Sequence, residues 1–244
     1  MLGTVRGCEG VVLSYVDEQH LAVTTQMRAY RRPAACLSIV CLQAELEGKN
    51  MLTNLSVHNF FAKLAGNGDP GSGSGAALMG LTGVSLLKMA NDLCSQGQAD
   101  GSEFAVLNIE LGRLHVLLEG LINRDAEVLE QALPALTAVG ADGNSEEWNE
   151  VLIQAIDVPL SIADACIEAL GSAKKLRPKA LPNILCDIQF AAMSCHTALQ
   201  GAILIAELNI SLLRDDEELA EKLNKKIADF TELGDQLIDA VLIK

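Results

Sequence analysis

The sequence predicts an all-α protein, a single-domain helical bundle of about six to eight helices with long buried helices. Composition and patterning both support this class. Half of the 244 residues are hydrophobic while only 3% are aromatic, so Ala, Leu, Ile and Val must build the core. Such a core favours closely packed helices. Apolar residues also recur at spacings of three and four, as on one face of a helix, and no alternating strand of useful length is present.

Residues 1–50 differ in charge from the rest of the chain. They carry five basic and five acidic groups, whereas residues 51–244 carry the whole net charge of −14. The segment MRAYRRPAACLSIVCLQAE, from Met27, has a basic patch and a short apolar run like a signal peptide, but it is internal. We interpret residues 1–50 as an atypical leader, either misassigned or disordered, with Met51 as the natural start of a helical domain. Detection of residues 1–50 in the native protein by mass analysis would contradict this interpretation.

The first half of the helical domain contains three predicted helices. Ser56 is suited to cap a short helix with an apolar face. The glycine-rich stretch Gly66–Gly75 predicts a loop, and a long apolar helix follows over about Ala76–Leu93. The next helix begins near Ser102 and carries a stripe with helical spacing, formed by Phe104, Leu107, Leu111, Leu114, Leu118 and Leu121.

The second half predicts three more helices. Ser145 starts one that contains Pro159, where we expect a kink. After the break LRPKALPN, residues 184–213 form a long helix that is apolar on nearly all faces. A last amphipathic helix is marked by Leu219, Leu223, Ile227, Phe230, Leu237 and Val241.

The net charge and the spacing of the cysteines indicate which partners the protein can bind and in which cellular compartment it works. A net charge of −14 disfavours general binding to nucleic acid or to an anionic membrane. Neither long apolar helix is predicted to span a membrane, because Lys88 interrupts the first and His196 and Glu207 interrupt the second. The seven cysteines include no CxxC pair and no histidine at zinc-site spacing. We therefore expect a cytoplasmic protein with no disulfide framework, no metal, no nucleic-acid partner and no membrane contact.

Three polar residues break the apolar pattern. Asp125 continues the core-facing stripe between Leu121 and Val128, or else it caps a new helix if the preceding one ends near Asn123. Asp187 lies just inside an apolar helix, where the helix dipole alone stabilises a first-turn carboxylate by about 0.3–1 kcal/mol. Asn209, in the same helix, either ties helices together or holds a polar ligand, because a buried amide needs partners.

The loop DPGSGSG, residues 69–75, runs directly into an apolar helix. A Walker loop is excluded because no GK[ST] follows, and a Rossmann turn is disfavoured because a helix rather than a strand precedes it. Backbone amides at the start of a helix can receive an anion or a carbonyl oxygen. The alternative is a tight turn between packed helices.

Four segments, in order over about residues 54–243, resemble one enzyme family. They are DPGSGSGAALMGLTGVSLLKMANDL, LLEGLINRDAEVLEQAL, AIDVPLSIADACIEAL and NILCDIQFAAMSCHTALQGAILIAELNISLLRDDE. These segments resemble the formimidoyltetrahydrofolate cyclodeaminase / methenyltetrahydrofolate cyclohydrolase family, including its PGGGS signature. The resemblance implies an all-α fold, usually a homodimer, that binds a reduced folate as substrate and uses no metal or other cofactor.

The resemblance also implies site residues. It assigns catalysis to Asp187 and Asp125, as proton carrier and charge stabiliser in an order left open. The implied substrate-binding residues are Pro70, Gly71, Ser72, Gly73, Ser74, Asn183 and Asn209. Three positions depart from the family pattern, namely Ser72 for glycine, Asp157 for a common threonine and Leu129 for an aromatic residue.

The implied activity is conversion of 5-formimidoyltetrahydrofolate to 5,10-methenyltetrahydrofolate with release of ammonia. A methenyltetrahydrofolate cyclohydrolase is the alternative, because water adds to the same one-carbon bridge in that reaction. A helical folate-binding protein without catalytic activity is a third interpretation.

Overall fold

A computed structural model describes residues 51–66, 70–96, 101–138, 146–213 and 216–243. The chain divides into two units, Met1–Lys49 and Asn50–Lys244, and all described residues belong to the second. The interpretation of residues 1–50 as a leader therefore lies outside the described residues, as does the expected cap at Ser145.

Six α-helices and two short 3₁₀ turns make up the described part of the chain, which contains no strand. The helices are α1 Val57–Leu64, α2 Ser72–Ser95, α3 Ser102–Ala138, α4 Glu146–Leu176, α5 Leu185–Ile210 and α6 Glu217–Leu242. The 3₁₀ turns are Leu52–Asn54 and Arg177–Lys179. The all-α prediction is confirmed. The prediction that α2 starts near Ala76 is wrong, because the helix begins four residues earlier, inside the predicted loop.

Local caps explain several helix boundaries. Ser56 caps α1 as predicted, since its hydroxyl accepts a hydrogen bond from the Asn59 backbone N–H at 3.2 Å. Asp216 caps α6 in the same way through the Leu219 N–H. Pro159 lies within α4 as predicted, and the kink expected there remains a prediction.

Helices α2 to α5 form an antiparallel ring around one core, and α6 packs against α4 and α5. Gly80 of α2 lies where this ring is tightest. A Cβ added there would be 3.0 Å from Cys166 Sγ of α4, 3.3 Å from Leu118 of α3 and 3.5 Å from Ala198 of α5. One residue of α2 therefore faces all three other helices of the ring, as expected for a four-helix bundle core.

Helices α2 and α5 approach each other most closely at Gly83. A Cβ added at this glycine would lie 2.4 Å from Cys195 Sγ and 2.7 Å from the Ala191 carbonyl oxygen, so only glycine fits. Seven residues earlier in α2, Ala76 faces Gly201 of α5. Small residues on both helices bring the backbones together and account for a core that needs few aromatic side chains.

Helix α5 is, among the helices described, the one long and apolar enough to match a membrane span. Half of its most apolar window is buried within the bundle.

Asn209 ties the end of α5 to α4. Its side-chain N–H donates to the Ala155 carbonyl oxygen at 2.6 Å. That carbonyl is the acceptor that residue 159 would normally satisfy four positions along the helix, but Pro159 has no backbone N–H. The amide of Asn209 thus replaces the hydrogen bond that the proline removes and ties the two helices together, while its role in holding a ligand stays a prediction.

The described cysteines divide into buried and exposed thiols. Cys94, Cys166 and Cys195 are buried, Cys186 is exposed, and none of the four forms a disulfide. Burial raises the pKa of Cys195 to about 12. Burial, followed by the neighbouring Cys195, raises the pKa of Cys166 well above its usual value. These two thiols are packing groups rather than nucleophiles.

We predict that Asn209→Ala lowers the free energy of unfolding by about 1–3 kcal/mol, because it leaves the Ala155 carbonyl unsatisfied. In a Pro159→Ala background the restored N–H takes over that acceptor, so the cost should be smaller. A double-mutant cycle by chemical denaturation measures the difference. An equal cost in both backgrounds would contradict the assignment.

We also predict that iodoacetamide at pH 8 modifies Cys186 rapidly in the folded protein but modifies Cys195 only after unfolding. Cys195 is inaccessible, and at a pKa of about 12 only about one thiol in 10⁴ is ionised at that pH. Peptide mass spectrometry reads each site separately. Equal rates at the two positions would show that the α2–α5 packing opens readily.

Candidate active site at the start of helix α2

Ser74, in the first turn of α2, is bonded to Asp125 of α3. The Ser74 backbone N–H donates to Asp125 Oδ2 at 2.7 Å. The Ser74 hydroxyl lies 3.0 Å from the same oxygen and 2.8 Å from the Ile122 carbonyl oxygen, either of which can accept its proton. Ser74 is fully buried, so this contact fixes the start of α2 on α3.

Asp125 lies within a continuous helix. Because α3 runs unbroken from Ser102 to Ala138, the alternative in which Asp125 caps a new helix is wrong. Leu121 and Val128 on either side of it are buried, and Asp125 itself is partly buried, as the stripe predicts. The positive end of α2 and the two Ser74 donors stabilise negative charge on this carboxylate.

At the helix start that the sequence offered as a receptor for an anion, the Ser74 amide is therefore bonded to an anion from the same chain. Asp125 takes the Ser74 amide that would otherwise receive a substrate carboxylate. This bond also explains why α2 begins at Ser72, because the first-turn N–H gains a fixed acceptor from a residue 51 positions away.

Gly71 and Gly73 leave space for the Asp125 carboxylate beside the glycine-rich loop. A Cβ added at Gly73 would lie 2.0 Å from Asp125 Oδ1, an impossible distance, so the position requires glycine. At Gly71 the added atom would be 3.6 Å from Oδ2 and 3.2 Å from Leu129. Two of the implied loop residues thus pack directly around Asp125.

The remaining loop residues, and the positions that depart from the family pattern, differ in how far they are buried. Pro70 is buried at the base of the loop, whereas Ser72 is exposed. Asp157 is also exposed, on α4. Leu129 borders the loop through its contact with Gly71, so it is the departure that lies at the site.

A cavity of about 350 Å³ lies beside this contact, between α1, α2, α3 and the first 3₁₀ turn. Ile122, whose carbonyl faces Ser74, lines it. The polar side chains at its wall are those of Thr53, Thr82, His115 and Glu119, and the rest of the lining is apolar and includes Phe60 and Phe61. A mostly apolar pocket with a few polar groups is the usual form of a small-molecule site.

Asn123 holds the wall of the cavity in place. Its side-chain oxygen accepts the Leu52 backbone N–H at 2.7 Å, and its amide nitrogen donates to Thr53 Oγ1 at 3.3 Å. Asn123 and Asp125, two residues apart on α3, therefore position the cavity wall and the loop, respectively. Glu119 was missed by the sequence reasoning, although its place four residues after His115 puts both on one face of α3.

Asp187 lies in the first turn of α5 and is partly buried. Among the residues that the structure describes, its carboxylate has no hydrogen-bond or ion-pair partner. Ala191, one turn further on, faces Gly83 at the middle of α2. Asp125 contacts the first turn of α2, so the rise of the helix separates the two carboxylates by roughly 20 Å.

One chain therefore does not bring Asp125 and Asp187 together in a single pocket. The implied amides divide in the same way. Asn183 is exposed beside the start of α5, near Asp187, whereas Asn209 lies at the opposite end of α5 and is bonded to α4. The described residues include no cluster of histidine, cysteine and carboxylate side chains suited to a metal ion.

These features define a class of protein, an antiparallel all-α bundle with a glycine-lined carboxylate at the start of one core helix and an apolar cavity beside it. Residues 56–229 match the formiminotransferase-cyclodeaminase family, and the chain belongs to that family. The resemblance seen in the four sequence segments is confirmed.

Two relatives show how far the likeness extends. The chain is 27% identical over 207 residues to a methenyltetrahydrofolate cyclohydrolase of Methylorubrum extorquens, covering 80% of this chain and 99% of the relative. The crystal structure of a formiminotetrahydrofolate cyclodeaminase from Thermotoga maritima superposes with a TM-score of 0.70 at 18% identity, covering 77% of this chain and 94% of that one. The second comparison shows that the fold is shared.

We predict that Gly73→Ala destabilises the protein and abolishes ligand binding at this site, because the added methyl group displaces Asp125. Gly120→Ala, in the same helix as Asp125 but with no atom near the added Cβ, is the matched control. It should leave binding intact and raise stability by about 0.4–1 kcal/mol. Thermal unfolding and folate titration measure both, and equal behaviour of the two variants would contradict the packing described.

Proposed function

We propose that this protein is a folate one-carbon enzyme that converts 5-formimidoyltetrahydrofolate to 5,10-methenyltetrahydrofolate and releases ammonia. The observation that carries the proposal is the Asp125 carboxylate, held by Ser74 beside an apolar cavity in a member of this family. Such a carboxylate suits a reaction whose product bridge is a cation.

The reaction needs one proton and creates one positive charge. N10 of the folate attacks the formimino carbon on N5 and loses its proton, which gives a tetrahedral adduct. The amino group is protonated, the carbon–nitrogen bond breaks, and ammonia departs. The remaining electron-poor carbon shares its positive charge with N5 and N10. A proton carrier and a fixed negative charge are therefore the two groups that catalysis requires.

The environments of the two aspartates support different roles. Asp125 accepts the Ser74 N–H at the positive end of a helix and lies within reach of the Ser74 hydroxyl, which suits an anion that stabilises the developing cation. Asp187 has no such donors, which suits a group that gains and loses a proton. The apolar cavity, with Phe60 and Phe61 in its wall, offers a surface for the aromatic rings of a folate.

A methenyltetrahydrofolate cyclohydrolase is the second candidate. The relative from Methylorubrum extorquens carries that name, and the match covers 99% of its length. In this reaction water attacks the bridge carbon and releases one proton. Its second proton passes to the ring nitrogen that leaves the carbon, so that one carbon–nitrogen bond opens and a formyl group remains. The same anion next to the same cation would serve both reactions.

We predict that Asp187→Asn lowers turnover on the order of 10²–10⁴-fold while substrate binding persists, since the amide cannot transfer a proton. The matched control is Asp235→Asn, which removes an exposed carboxylate that bonds His196 on the outside of the bundle. Absorbance of the methenyl chromophore, followed with 5-formimidoyl- and with methenyltetrahydrofolate, measures turnover and identifies the reaction.

Full turnover by a folded Asp187→Asn variant would reject the proton-carrier role. Binding of both folates by the wild-type protein without turnover of either would reject an enzyme and favour the non-catalytic folate binder.

A further inference from the structure

Lys88 is one of two charged residues in α2, and its ammonium group has no ionic partner. The side chain is partly buried, in a helix that is otherwise mostly apolar. Among the residues that the structure describes, no carboxylate lies within ion-pair distance of it, although Asp92 is exposed one turn further along α2. Because partial burial weakens the hydration of a cation, an anion that binds at this position gains an unpaired partner.

The ammonium group of Lys88 lies against α3 at Gly112. A Cβ added at this glycine would be 3.7 Å from Lys88 Nζ. Since Gly112 has no side chain, the ammonium group lies over the backbone of α3, and no side chain from that position covers it. The glycine therefore leaves room beside the cation.

The two rows of residues that line the cavity lead to this cation. On α2 the row continues from Leu81 through Ser85 to Lys88, at spacings of four and three that keep one side of a helix. On α3 it continues from His115 to Gly112, a spacing of three. Because α2 and α3 run antiparallel, both rows leave the cavity in the same direction. We call the surface between them the Lys88 groove.

The length of the Lys88 groove matches the length of a folate. Asp125 and Gly112 are 13 positions apart on α3, which is roughly 20 Å along the helix. In a reduced folate an aminobenzoyl ring and an amide separate the one-carbon bridge from the glutamate, whose γ-carboxylate lies roughly 12 Å from the bridge when extended, by ordinary bond lengths. A contact of about 3 Å at each end brings the total close to the separation of the two positions.

The arginines of α3 are already paired, which leaves Lys88 as the cation for an anionic tail in this groove. Arg113 pairs with Glu168 of α4, and Arg124 pairs with Glu127. The whole chain carries a net charge of −14, so it repels a substrate with two carboxylates. A local cation offsets that repulsion where the tail lies.

We propose that Lys88 binds a glutamyl carboxylate of the folate and so makes the site selective for glutamylated substrates. This inference rests on the proposed function. With the one-carbon bridge beside Asp125, the aminobenzoyl ring lies in the apolar cavity against Phe60 and Phe61, and the glutamate extends along the Lys88 groove. Glu119 at the cavity wall is exposed, so water and salt screen its charge from the tail.

Two ligands that differ only in the glutamate test the proposal. Titration calorimetry compares 5-formyltetrahydrofolate with the same molecule in which a neutral methylamide replaces the glutamate. The wild-type protein should bind the glutamate form about 10–100-fold more tightly, as expected for a charge-assisted hydrogen bond at a partly buried site. Added salt should reduce this preference.

Substitution of Lys88 should remove the preference. Lys88→Met deletes the charge but keeps an unbranched side chain that favours a helix, so it should weaken binding of the glutamate form alone. Lys88→Arg keeps the charge and should keep the preference. Lys63→Met is the matched control, because Lys63 is an exposed lysine on α1, a helix whose phenylalanines line the cavity. It should behave as the wild-type protein does.

A substitution on α3 tests the same contact from the other side, and it serves if Lys88→Met does not fold. Gly112→Asp introduces a carboxylate beside Lys88 Nζ, which should occupy the ammonium group and remove the preference. Gly120→Asp adds the same charge about two turns away, where an added Cβ meets no atom, and should leave the preference intact.

Equal affinity of the wild-type protein for the two ligands would overturn the inference. Loss of the preference in Lys63→Met but not in Lys88→Met would overturn it as well. Because these are binding measurements, a protein that shows the Lys88-dependent preference but turns over neither folate would reject the proposed enzyme and leave the assignment of Lys88 in place. A protein that binds neither ligand would overturn both.

Discussion

The close contact between α2 and α5 determines where the polar groups of this bundle lie. Gly83 brings the two backbones so near that no side chain fits between them, and the flanking positions are filled by residues as small as Ala76 and Gly201. A slip that brought the following turn of α2 to this point would place Leu86 or Leu87 where glycine is required, which close-packed interiors do not tolerate. This register places the start of α5 beside the end of α2 and so sets the distance between Asp187 and the glycine loop.

The second organising contact is the bond between Ser74 and Asp125. It satisfies the first-turn N–H of α2, occupies the anion-binding end of that helix, and holds a carboxylate at the edge of the cavity. The same bond therefore shapes the fold and prepares the chemistry.

The sequence predicted the helices well because their apolar stripes are long and regular. It also offered the inward position of Asp125 as one of two alternatives, and the continuous helix decides for that one. The start of α2 at Ser72 was missed because glycine and serine carry no helix signal, and the acceptor that fixes this start lies 51 residues away.

The distance between Asp125 and Asp187 could not be predicted from the sequence pattern, for a different reason. Periodicity tells which face of a helix a residue occupies, but not how far one helix is shifted along another. That shift depends on the shapes of packed side chains such as those around Gly83. Glu119 was overlooked although it lies inside one of the segments that carry the family resemblance, and its spacing of four residues from His115 contained a usable signal.

Pro159 and Asn209 form a linked pair on different helices, since the amide of one supplies the hydrogen bond that the ring of the other removes. The hydrogen bond of Asn209 to the Ala155 carbonyl is needed because Pro159 has no N–H, and Pro159 is tolerated because Asn209 makes that bond. In the evolution of this fold the two positions should therefore change together. A descendant that loses the proline would be free to exchange the asparagine for an aliphatic residue, whereas loss of the asparagine first would pass through a weakened intermediate.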